Sequence, residues 1–363
     1  METSAQTKNR TILGLKLTGP LIIAGPCSAE TEEQVLSTAK QIASLGKVNI
    51  FRAGIWKPRT RPGQFEGIGS IGLEWLKKVK SETGLPSTVE VANVKHVYEA
   101  LKWGVDFLWI GARTTVNPFS VQEIADALRG VNIPVLVKNP VNADLDLWIG
   151  AIERFHKAGI TQLAAIHRGF SSYDKSQYRN KPMWEIPIEL KRRMPDIPLI
   201  CDPSHICGRT DTLLATAQVA IDLAYDGLMI ESHYKPSSAL SDAKQQLTPE
   251  ELGKLLEKIV VRVTSVEDRK FISTLEDLRD KIDELDNNLV QLLANRMEVA
   301  RSIGACKKQS GVTILQNVRW SEIIQKRTIQ GVEKKLTAEF VKKIFESIHH
   351  ESIFQQEQIM KEK

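Results

Sequence analysis

Short apolar runs alternate with longer amphipathic stretches along most of the chain. Between residue 20 and about residue 235, eight runs rich in Val, Ile and Leu are each followed by a segment long enough for a helix. Runs that are apolar at every position are typical of strands buried on both faces of a parallel sheet. Eight such units in about 240 residues favour a closed (β/α)8 barrel, an α/β fold, over an open sheet. The runs are LIIAGP from Leu21, VNIFRAG from Val48, STVEVA from Ser87, DFLWIGA from Asp106, PVLVKN from Pro134, LAAIHRG from Leu163, PLICDPS from Pro198 and GLMIESH from Gly227.

The last helix of the predicted barrel carries its own start signal, in the segment LTPEELGKLLEKIVV. Thr248 can cap this helix, Pro249 suits its first position, and Glu251 completes a capping box. The barrel is therefore predicted to end near Val263, and the first domain is predicted to span residues 1–265.

A different periodicity begins in residues 266–363. Apolar residues recur in steps of three and four from residue 275 to residue 292, which predicts a helix of about 40 residues that packs against other helices. Arg296 then occupies a position where this seam requires an apolar residue, and two further helical stretches follow. We expect a small all-α domain with too little apolar surface to be stable alone, and hence a homodimer through this domain or a higher homo-oligomer.

Composition and charge mainly exclude classes of protein. The 363 residues are 42% hydrophobic and 26% charged, and the net charge of +5 is spread along the chain, so charge makes no case for nucleic acid. The polar opening METSAQTKNR does not resemble a signal peptide, and no apolar run approaches the roughly 18 residues that span a bilayer. We expect a cytoplasmic protein without a membrane partner. Four cysteines without a CxxC pair are too few for a disulfide scaffold.

Charged residues end most of the eight runs. Active sites of (β/α)8 barrels lie at the carboxyl ends of the strands, so these residues are predicted to form one ring. Five or six cations without matching carboxylates would repel one another unless an anion binds among them, which predicts a substrate with phosphate and carboxylate groups. The ring comprises Cys27, Arg52, Lys57, Arg59, Glu90, Arg113, Lys138, His167, Arg168, Asp202, His205, Glu231 and His233.

Four residues of the predicted barrel mouth are of metal-ligating types: Cys27, His205, Glu231 and Asp242. A thiolate, an imidazole and two carboxylates suit a divalent transition metal such as Mn, Fe, Co or Zn. The first, seventh and eighth strands adjoin in a closed barrel, which would bring these residues together. Taken singly, a cysteine is more often a buried apolar residue and a histidine more often structural, so both interpretations stay open on the residues alone.

The motifs AGPCSAE, FRAGIWKPRT, GARTT, VLVKNP, IHRGF, CDPSH and IESH occur in this order. With them, residues 17–263 resemble the 3-deoxy-D-arabino-heptulosonate 7-phosphate (DAHP) synthases of the type I beta subgroup. The nearest alternative is 3-deoxy-D-manno-octulosonate 8-phosphate synthase, which usually has Lys-Ala-Asn-Arg where this chain has KPRT, and often Asn where it has Cys27. After KPRT this chain continues with RPGQFEG, where the DAHP synthases commonly have Ser-Pro-Tyr-Ser-Phe-Gln-Gly, so the acceptor loop is altered.

The resemblance implies a condensation of phosphoenolpyruvate with erythrose 4-phosphate, the first step of the shikimate pathway. It also implies a divalent metal that polarises the aldehyde, and the absence of the amino-terminal regulatory extension of some relatives. The implied phosphoenolpyruvate residues are Arg52, Lys57, Arg113, Lys138 and Arg168, of which Lys57 and Lys138 count as catalytic. The implied acceptor-phosphate residues are Arg59 and Thr60, and the implied metal ligands are Cys27, His205, Glu231 and Asp242.

Residues 274–358 resemble the helical chorismate mutases, on the motifs LRDKIDELDNNLVQLLANRMEVARSIGACKK and HHESIFQQ. The resemblance implies the rearrangement of chorismate to prephenate, which needs no metal or covalent group. Relatives often have Asp and Glu where this chain has Gln316 and Trp320. The implied roles are Arg279 and Arg296 on the two carboxylates, Lys307 and Gln356 as the catalytic pair on the ether oxygen, and Arg319 and Ser352 lining the pocket.

Helix geometry adds an expectation about assembly. Arg279 lies seventeen residues before Arg296, about 100° around an ideal helix, so one straight helix cannot easily aim both at one small ligand. A homodimer in which each subunit supplies Arg279 to the other's pocket is the family's solution.

The chain as a whole therefore predicts a bifunctional enzyme, a transferase followed by an isomerase, with feedback control of the first by a ligand of the second. Three alternatives remain. The barrel could be an octulosonate phosphate synthase, or the helical domain could be a module that senses chorismate or prephenate, which Gln316 and Trp320 leave open. A purely structural dimerisation segment is disfavoured by Arg279, Arg296 and Lys307.

Overall fold

The computed structural model describes residues 10–59, 63–173, 176–262 and 268–361. The chain forms two compact units, Met1–Thr264 and Ser265–Lys363. The predicted end of the barrel near Val263 and the predicted boundary after residue 265 lie outside the described residues. Among the residues that the structure describes, every helix is too short or too polar to cross a bilayer.

Eight parallel strands close the first unit into a barrel, which confirms the predicted (β/α)8 fold. The strands are β1 Arg10–Ile12, β2 Leu15–Leu17, β3 Leu21–Gly25, β4 Ile50–Arg52, β5 Ser87–Val91, β6 Phe107–Ile110, β7 Val135–Lys138, β8 Leu163–His167, β9 Leu199–Cys201 and β10 Gly227–Glu231. The barrel consists of β3 to β10, and all eight predicted runs contribute one strand each. Closure pairs β10 with β3, from Gly227 opposite Leu21 to Glu231 opposite Gly25.

Helices cover the outside of the barrel. They are α1 Glu32–Ser44, α2 Ile71–Thr83, α3 Val94–Lys102, α4 Ala112–Thr115, α5 Pro118–Ala127, α6 Leu145–Lys157, α7 Glu185–Arg193, α8 Pro203–Cys207, α9 Leu213–Asp222 and α10 Pro249–Lys258, with 3-10 turns at Pro236–Ser238 and Ala243–Gln245. The predicted capping box of α10 is confirmed, because Thr248 Oγ1 accepts from Glu251 N and Glu251 Oε2 accepts from Thr248 N. The short helices α4 and α8 follow β6 and β9 directly and lie at the barrel mouth.

The apolar side chains of each barrel strand belong alternately to two cores, one between the strands and the helices and one inside the barrel. Along β10, Leu228 and Ile230 pack against the helices, whereas Met229 packs inside the barrel. Successive residues of a strand point to opposite faces, so Glu231 continues the inward set of Met229. The same alternation turns the last residue of β4, Arg52, and the last residue of β7, Lys138, toward the barrel axis.

A hairpin of β1 and β2 closes the amino-terminal end of the barrel. Its residues Ile12, Leu13 and Leu17 belong to the same core as the inward side chains of the strands. Arg10 Nη1 holds the hairpin to Asp226 Oδ1 at 3.1 Å. The sequence did not predict this hairpin, because two strands of three residues carry too little periodicity.

Three helices form the second unit: α11 Arg269–Gln309, α12 Asn317–Glu333 and α13 Ala338–Lys361. The 41 residues of α11 agree with the predicted helix of about 40. Gly304 of α11 lets α13 approach closely, since a Cβ there would lie 3.1 Å from Gln356 Cγ. The predicted seam is largely uncovered in the single chain, with Leu278, Ile282 and Leu285 each more than half exposed.

Candidate active sites

The barrel mouth contains two buried ion pairs formed by inward strand ends. Arg52 Nη2 lies 3.1 Å from Glu231 Oε1, and Lys138 Nζ lies 2.9 Å from Asp202 Oδ2. All four side chains are less than 7% exposed. A buried charge needs a partner because desolvation is otherwise too costly. The expectation of cations without matching carboxylates is therefore wrong for Arg52 and Lys138.

These contacts keep Arg52, Asp202 and Glu231 charged. Burial alone would raise the pKa of Glu231 and Asp202, but nearby cations and His205 hold the pKa of both carboxyls below its usual value. Burial would lower the pKa of Arg52, and Glu231 and Asp202 raise it instead. The mouth thus holds charges whose positions are fixed before any ligand arrives.

An indole forms the floor beneath both cations. The Arg52 guanidinium carbon lies 5.0 Å from the Trp109 ring centroid, and Lys138 Nζ lies 5.8 Å from it. Trp109 Nε1 in turn donates to Glu90 Oε2 at 3.2 Å. Sequence analysis missed Trp109, because the run FLWI is apolar at every position and does not display which residues point inward.

The other predicted anion-binding residues surround these pairs. Lys57 Nζ donates to the Cys27 carbonyl oxygen at 2.8 Å and lies 2.8 Å from Cys27 Sγ. Arg168 is 8% exposed, and burial lowers its pKa to about 10, with Arg179 and Arg113 contributing. Arg113 is exposed on α4.

The KPRT motif, which contains the predicted acceptor-phosphate residues Arg59 and Thr60, begins on the same side of the barrel. Arg59 Nε donates to the Phe65 carbonyl oxygen at 2.8 Å. Lys57 N donates to the Glu66 carbonyl oxygen, also at 2.8 Å. These two hydrogen bonds join the residues just after β4 to Phe65 and Glu66. Thr60 lies outside the described residues.

His167 does not belong to the ring, contrary to the prediction. It follows Leu163 and Ala165 on the outward face of β8, where Nε2 donates to the Pro182 carbonyl oxygen at 2.7 Å and Nδ1 accepts from Tyr225 Oη at 3.0 Å. Burial lowers its pKa to about 3. His233 is also buried, with Nδ1 accepting from Lys235 N at 2.9 Å. His167 is a neutral, structural histidine.

Three of the four predicted metal ligands meet at the junction of β3 and β10. One ligand atom each from Cys27, Glu231 and Asp242 lies within 4.8 Å of the others. His205 Nε2 is 3.7 Å from Glu231 Oε1, and its Nδ1 is 2.8 Å from Asp202 Oδ2. Burial, reinforced by Glu231, raises the pKa of Cys27 to about 12, and burial lowers the pKa of His205.

This donor set fits a divalent transition metal. Glu231 Oε1 is buried and accepts no hydrogen bond from any described residue, although it faces Arg52. A thiol, an imidazole and carboxylates in one place are ligands that such metals share. A bound cation would favour the thiolate of Cys27, because ligation and deprotonation are coupled.

Side chains next to these ligands were missed by sequence analysis. Gln246 Oε1 accepts from Cys27 N at 3.0 Å, and its Nε2 donates to the Ser241 carbonyl oxygen at 2.9 Å. Ser28 and Ser241, the neighbours of two predicted ligands, share a 2.5 Å hydrogen bond between their hydroxyls. The loop that contains Asp242 is therefore tied to the strand end that contains Cys27.

The helical unit gathers three predicted residues where α11 meets α13. Arg296 Nη1 donates to Ser352 Oγ at 2.5 Å, and Gln356 Nε2 donates to the Ser352 carbonyl oxygen at 3.2 Å. Gln356 is 8% exposed, and its Oε1 has no hydrogen-bond partner among the described residues. Burial and Arg327 lower the pKa of Arg296. Lys307 Nζ donates to the Ile314 carbonyl oxygen at 2.5 Å.

Two predicted arginines stand apart from this group. Arg279 is exposed in the first half of α11. Arg319 is largely exposed, with Nη1 3.1 Å from Glu322 Oε2. Trp320 stacks on His349 with ring centroids 3.8 Å apart, so an aromatic pair occupies the position where relatives often have a carboxylate.

Comparison with known proteins assigns both units. The family model of the DAHP synthetase I family matches residues 3–266. The chain belongs to the DAHP synthetase I family. A second model, chorismate mutase type II, matches residues 278–357. The protein thus combines a DAHP synthase domain, a transferase, with a chorismate mutase domain, an isomerase, and both belong to aromatic amino acid biosynthesis.

Individual relatives agree with this assignment. The phospho-2-dehydro-3-deoxyheptonate aldolase of Thermotoga maritima is 32% identical over 238 residues, which cover 66% of this chain and 68% of that protein. The 2-dehydro-3-deoxyphosphooctonate aldolase of Syntrophotalea carbinolica is 27% identical over 256 residues, covering 66% of this chain and 89% of that protein. The relatives of this domain therefore include both a phosphoheptonate and a phosphooctonate aldolase.

A solved structure supports the fold of the DAHP synthase domain. The crystal structure of the Thermotoga maritima DAHP synthase superposes with a TM-score of 0.59 at 29% identity and covers 67% of this chain and 68% of that one. A truncated form of the same enzyme gives the same TM-score at 27% identity, covering 71% of this chain and 92% of that one.

Proposed function

We propose that the DAHP synthase domain of this chain condenses phosphoenolpyruvate with erythrose 4-phosphate, giving DAHP and phosphate, and that its mutase domain converts chorismate to prephenate. The observation that carries the first activity is the barrel mouth, where fixed cations adjoin a thiol and carboxylate cluster. An anionic substrate and a metal-polarised aldehyde require these two features side by side.

The cations of the mouth suit the two anionic groups of phosphoenolpyruvate. Guanidinium groups bind carboxylate and phosphate in bidentate fashion, and lysines add point charges. Arg52 and Lys138 are held by their carboxylate partners and by Trp109, so they do not reorganise when substrate binds. The proposed set is Arg52, Lys57, Arg113, Lys138 and Arg168, with Lys57 and Lys138 as its catalytic members.

Cys27, His205, Glu231 and Asp242 would hold a divalent metal, Mn, Fe, Co or Zn. The metal would supply Lewis acidity toward the aldehyde oxygen of the acceptor. Asp202 orients His205, since its Oδ1 accepts from His205 N at 3.1 Å and its Oδ2 lies 2.8 Å from Nδ1, which leaves Nε2 facing Glu231. Lys57, beside Cys27 Sγ, links this cluster to the anion-binding cations.

Arg59 and Thr60 would bind the phosphate of the acceptor, and the KPRT motif favours the four-carbon sugar over the five-carbon one. The 27% identity to an octulosonate phosphate enzyme makes the acceptor the point to test. We expect turnover with erythrose 4-phosphate to exceed turnover with arabinose 5-phosphate, and the reverse order would assign the barrel to the octulosonate class.

Removing the metal should separate the two activities. We expect a chelator, or Cys27→Ser, to lower DAHP formation by at least about 100-fold, because a serine hydroxyl is a poor ligand for such metals. Chorismate mutase activity should stay within about twofold, since that reaction uses pocket electrostatics alone. The measurement is phosphate release and chorismate loss on the same preparation.

The matched control for this experiment is Cys306→Ser, which changes an exposed cysteine of the helical unit. It should leave both activities and the chelator response unchanged. Full DAHP formation by metal-free Cys27→Ser protein would contradict the metal assignment.

In the mutase domain, Arg296 would bind a carboxylate of chorismate, and its hydrogen bond to Ser352 supports a common site for the two residues. Arg319 and Ser352 would line the pocket, with Lys307 and Gln356 at the ether oxygen. Arg279 would come from a second subunit. Two features support a homodimer through α11: the distance of Arg279 along the helix from Arg296, and the exposed apolar side chains of Leu278, Ile282 and Leu285. Burying such a seam is the common reason for paired long helices.

Mixing two inactive variants tests the shared pocket. Arg279→Ala and Arg296→Ala should each lower mutase kcat/KM by about 100-fold or more, because each removes the partner of a buried carboxylate. Random mixing of the two should restore about a quarter of the wild-type activity, because half of the dimers are mixed and each has one intact site. Mixed dimers confirmed by mass without any recovery would place both arginines in one subunit's site.

The two domains belong to an early and a later enzyme of one pathway. We therefore also propose feedback control of the DAHP synthase domain by a ligand of the mutase domain. Prephenate or chorismate should inhibit DAHP formation through the mutase domain, and the substrates of the barrel should in turn change the affinity of the mutase domain for that ligand.

Arg296→Ala should lower the sensitivity to prephenate by about tenfold or more and leave the uninhibited rate of DAHP formation unchanged. Arg301→Ala, on the same helix, is the control, and equal inhibition of Arg296→Ala and wild type would indicate competition at the barrel mouth.

A further inference from the structure

The loop that supplies Asp242 also supplies a buried glutamine that binds a second metal-site carboxylate. Gln245 is 1% exposed, and its Nε2 donates to Glu231 Oε2 at 2.7 Å. Its Oε1 accepts from Arg179 Nη1 at 2.7 Å. Both polar atoms of the Gln245 amide are therefore hydrogen-bonded. The amide has one possible orientation, because the Glu231 carboxylate can only accept and the Arg179 guanidinium can only donate.

Arg179 also contacts Asp242, the second carboxylate of the proposed metal site. The same Nη1 atom lies 3.0 Å from Asp242 Oδ1. Burial would raise the pKa of Asp242, and Arg179 is the main group that holds it below its usual value. One guanidinium nitrogen thus contacts both the carboxylate of Asp242 and the residue that orients Glu231.

The backbone fixes Arg179 in this place. Its N–H donates to the Cys207 carbonyl oxygen at 3.3 Å, which ties it to the end of α8. Gly208 has φ of +69°, and a Cβ there would lie 2.6 Å from Arg179 Cβ, so the arginine stem packs where only glycine leaves room. The next residue, Asn180, donates to the His205 carbonyl oxygen at 2.6 Å and accepts from Arg168 Nη1 at 2.8 Å.

These contacts leave one oxygen of each carboxylate for the cluster. Glu231 uses Oε2 for Gln245, while Oε1 pairs electrostatically with Arg52 at 3.1 Å and accepts no hydrogen bond from the described residues. Asp242 uses Oδ1 for Arg179, while Oδ2 lies 3.4 Å from Cys27 Sγ. Without such partners, two carboxylates this close together would repel one another and turn away.

We propose that Arg179 and Gln245 are positioning residues of the metal centre, which hold Glu231 and Asp242 so that each ligates through a single oxygen, Oε1 and Oδ2 respectively. The proposal rests on the metal centre described under the proposed function. Residues that orient metal ligands typically change metal affinity by about 10- to 100-fold when they are replaced.

Co(II) is a suitable probe, because its visible bands report coordination geometry and its thiolate charge-transfer band reports Cys27. The test titrates Co(II) into metal-free full-length protein and into Gln245→Met and Arg179→Met variants. Gln245→Met keeps the side-chain length and removes the polar contacts, and Arg179→Met removes the guanidinium group and keeps part of the apolar stem. We expect the dissociation constant to rise about tenfold or more in each. The visible bands should also change, because an untied carboxylate can ligate through both oxygens.

Conservative and control variants separate positioning from a merely structural role. Arg179→Lys should restore the dissociation constant to within about threefold of wild type, because a single ammonium can replace the single Nη1 that makes both contacts. Arg209→Met, which changes an exposed arginine just after α8 that pairs with Asp211, should match wild type. The Arg179 side chain is 42% exposed, so we expect Arg179→Met to lower stability less than Gln245→Met does.

Unchanged affinity, within twofold, and an unchanged visible spectrum in both methionine variants would overturn the proposal. Failure of the metal centre itself has a different signature. In that case wild type would show no charge-transfer band that Cys27→Ser removes, and both proposals would fall together.

Discussion

Closure of the barrel is the constraint on which the rest of the structure depends. Pairing of β10 with β3 fixes which face of every strand is inside, and the last inward residues then meet at one end. Four of the charged residues among these are buried, namely Arg52, Lys138, Asp202 and Glu231. Because these side chains are buried, they must pair, and the pairs of 3.1 and 2.9 Å fix the geometry of the mouth.

One of these pairs joins two sites that would otherwise be separate. Glu231 is a proposed metal ligand, and Arg52, 3.1 Å away, is a proposed phosphoenolpyruvate residue. Asn180 makes a similar link, since it contacts both Arg168 and the backbone of His205. A change at the proposed metal ligands should therefore alter the position of the proposed anion-binding cations.

Much of this arrangement could be predicted from the sequence. Eight apolar runs and the convergence of Cys27 and Glu231 follow from periodicity and from the rule that barrel sites lie at strand ends. Asp242 lies in a loop after β10, and the family resemblance implied its role as a ligand. His167 was misplaced because a fully apolar run such as LAAIHRG does not display its phase. Gln245 and Arg179 could not be predicted, since their hydrogen bond joins residues 66 positions apart and depends on how two loops fold over the mouth.

The central claim is that one divalent metal lies beside the phosphoenolpyruvate site, held by side chains that the barrel turns inward. The most direct measurement is anomalous diffraction from crystals of the full-length protein grown with Mn²⁺ and phosphoenolpyruvate. We expect one anomalous peak within ligating distance of Cys27 Sγ, His205 Nε2, Glu231 Oε1 and Asp242 Oδ2, roughly 2.0–2.5 Å. No peak at the mouth at saturating Mn²⁺, or a peak only elsewhere on the chain, would contradict the claim.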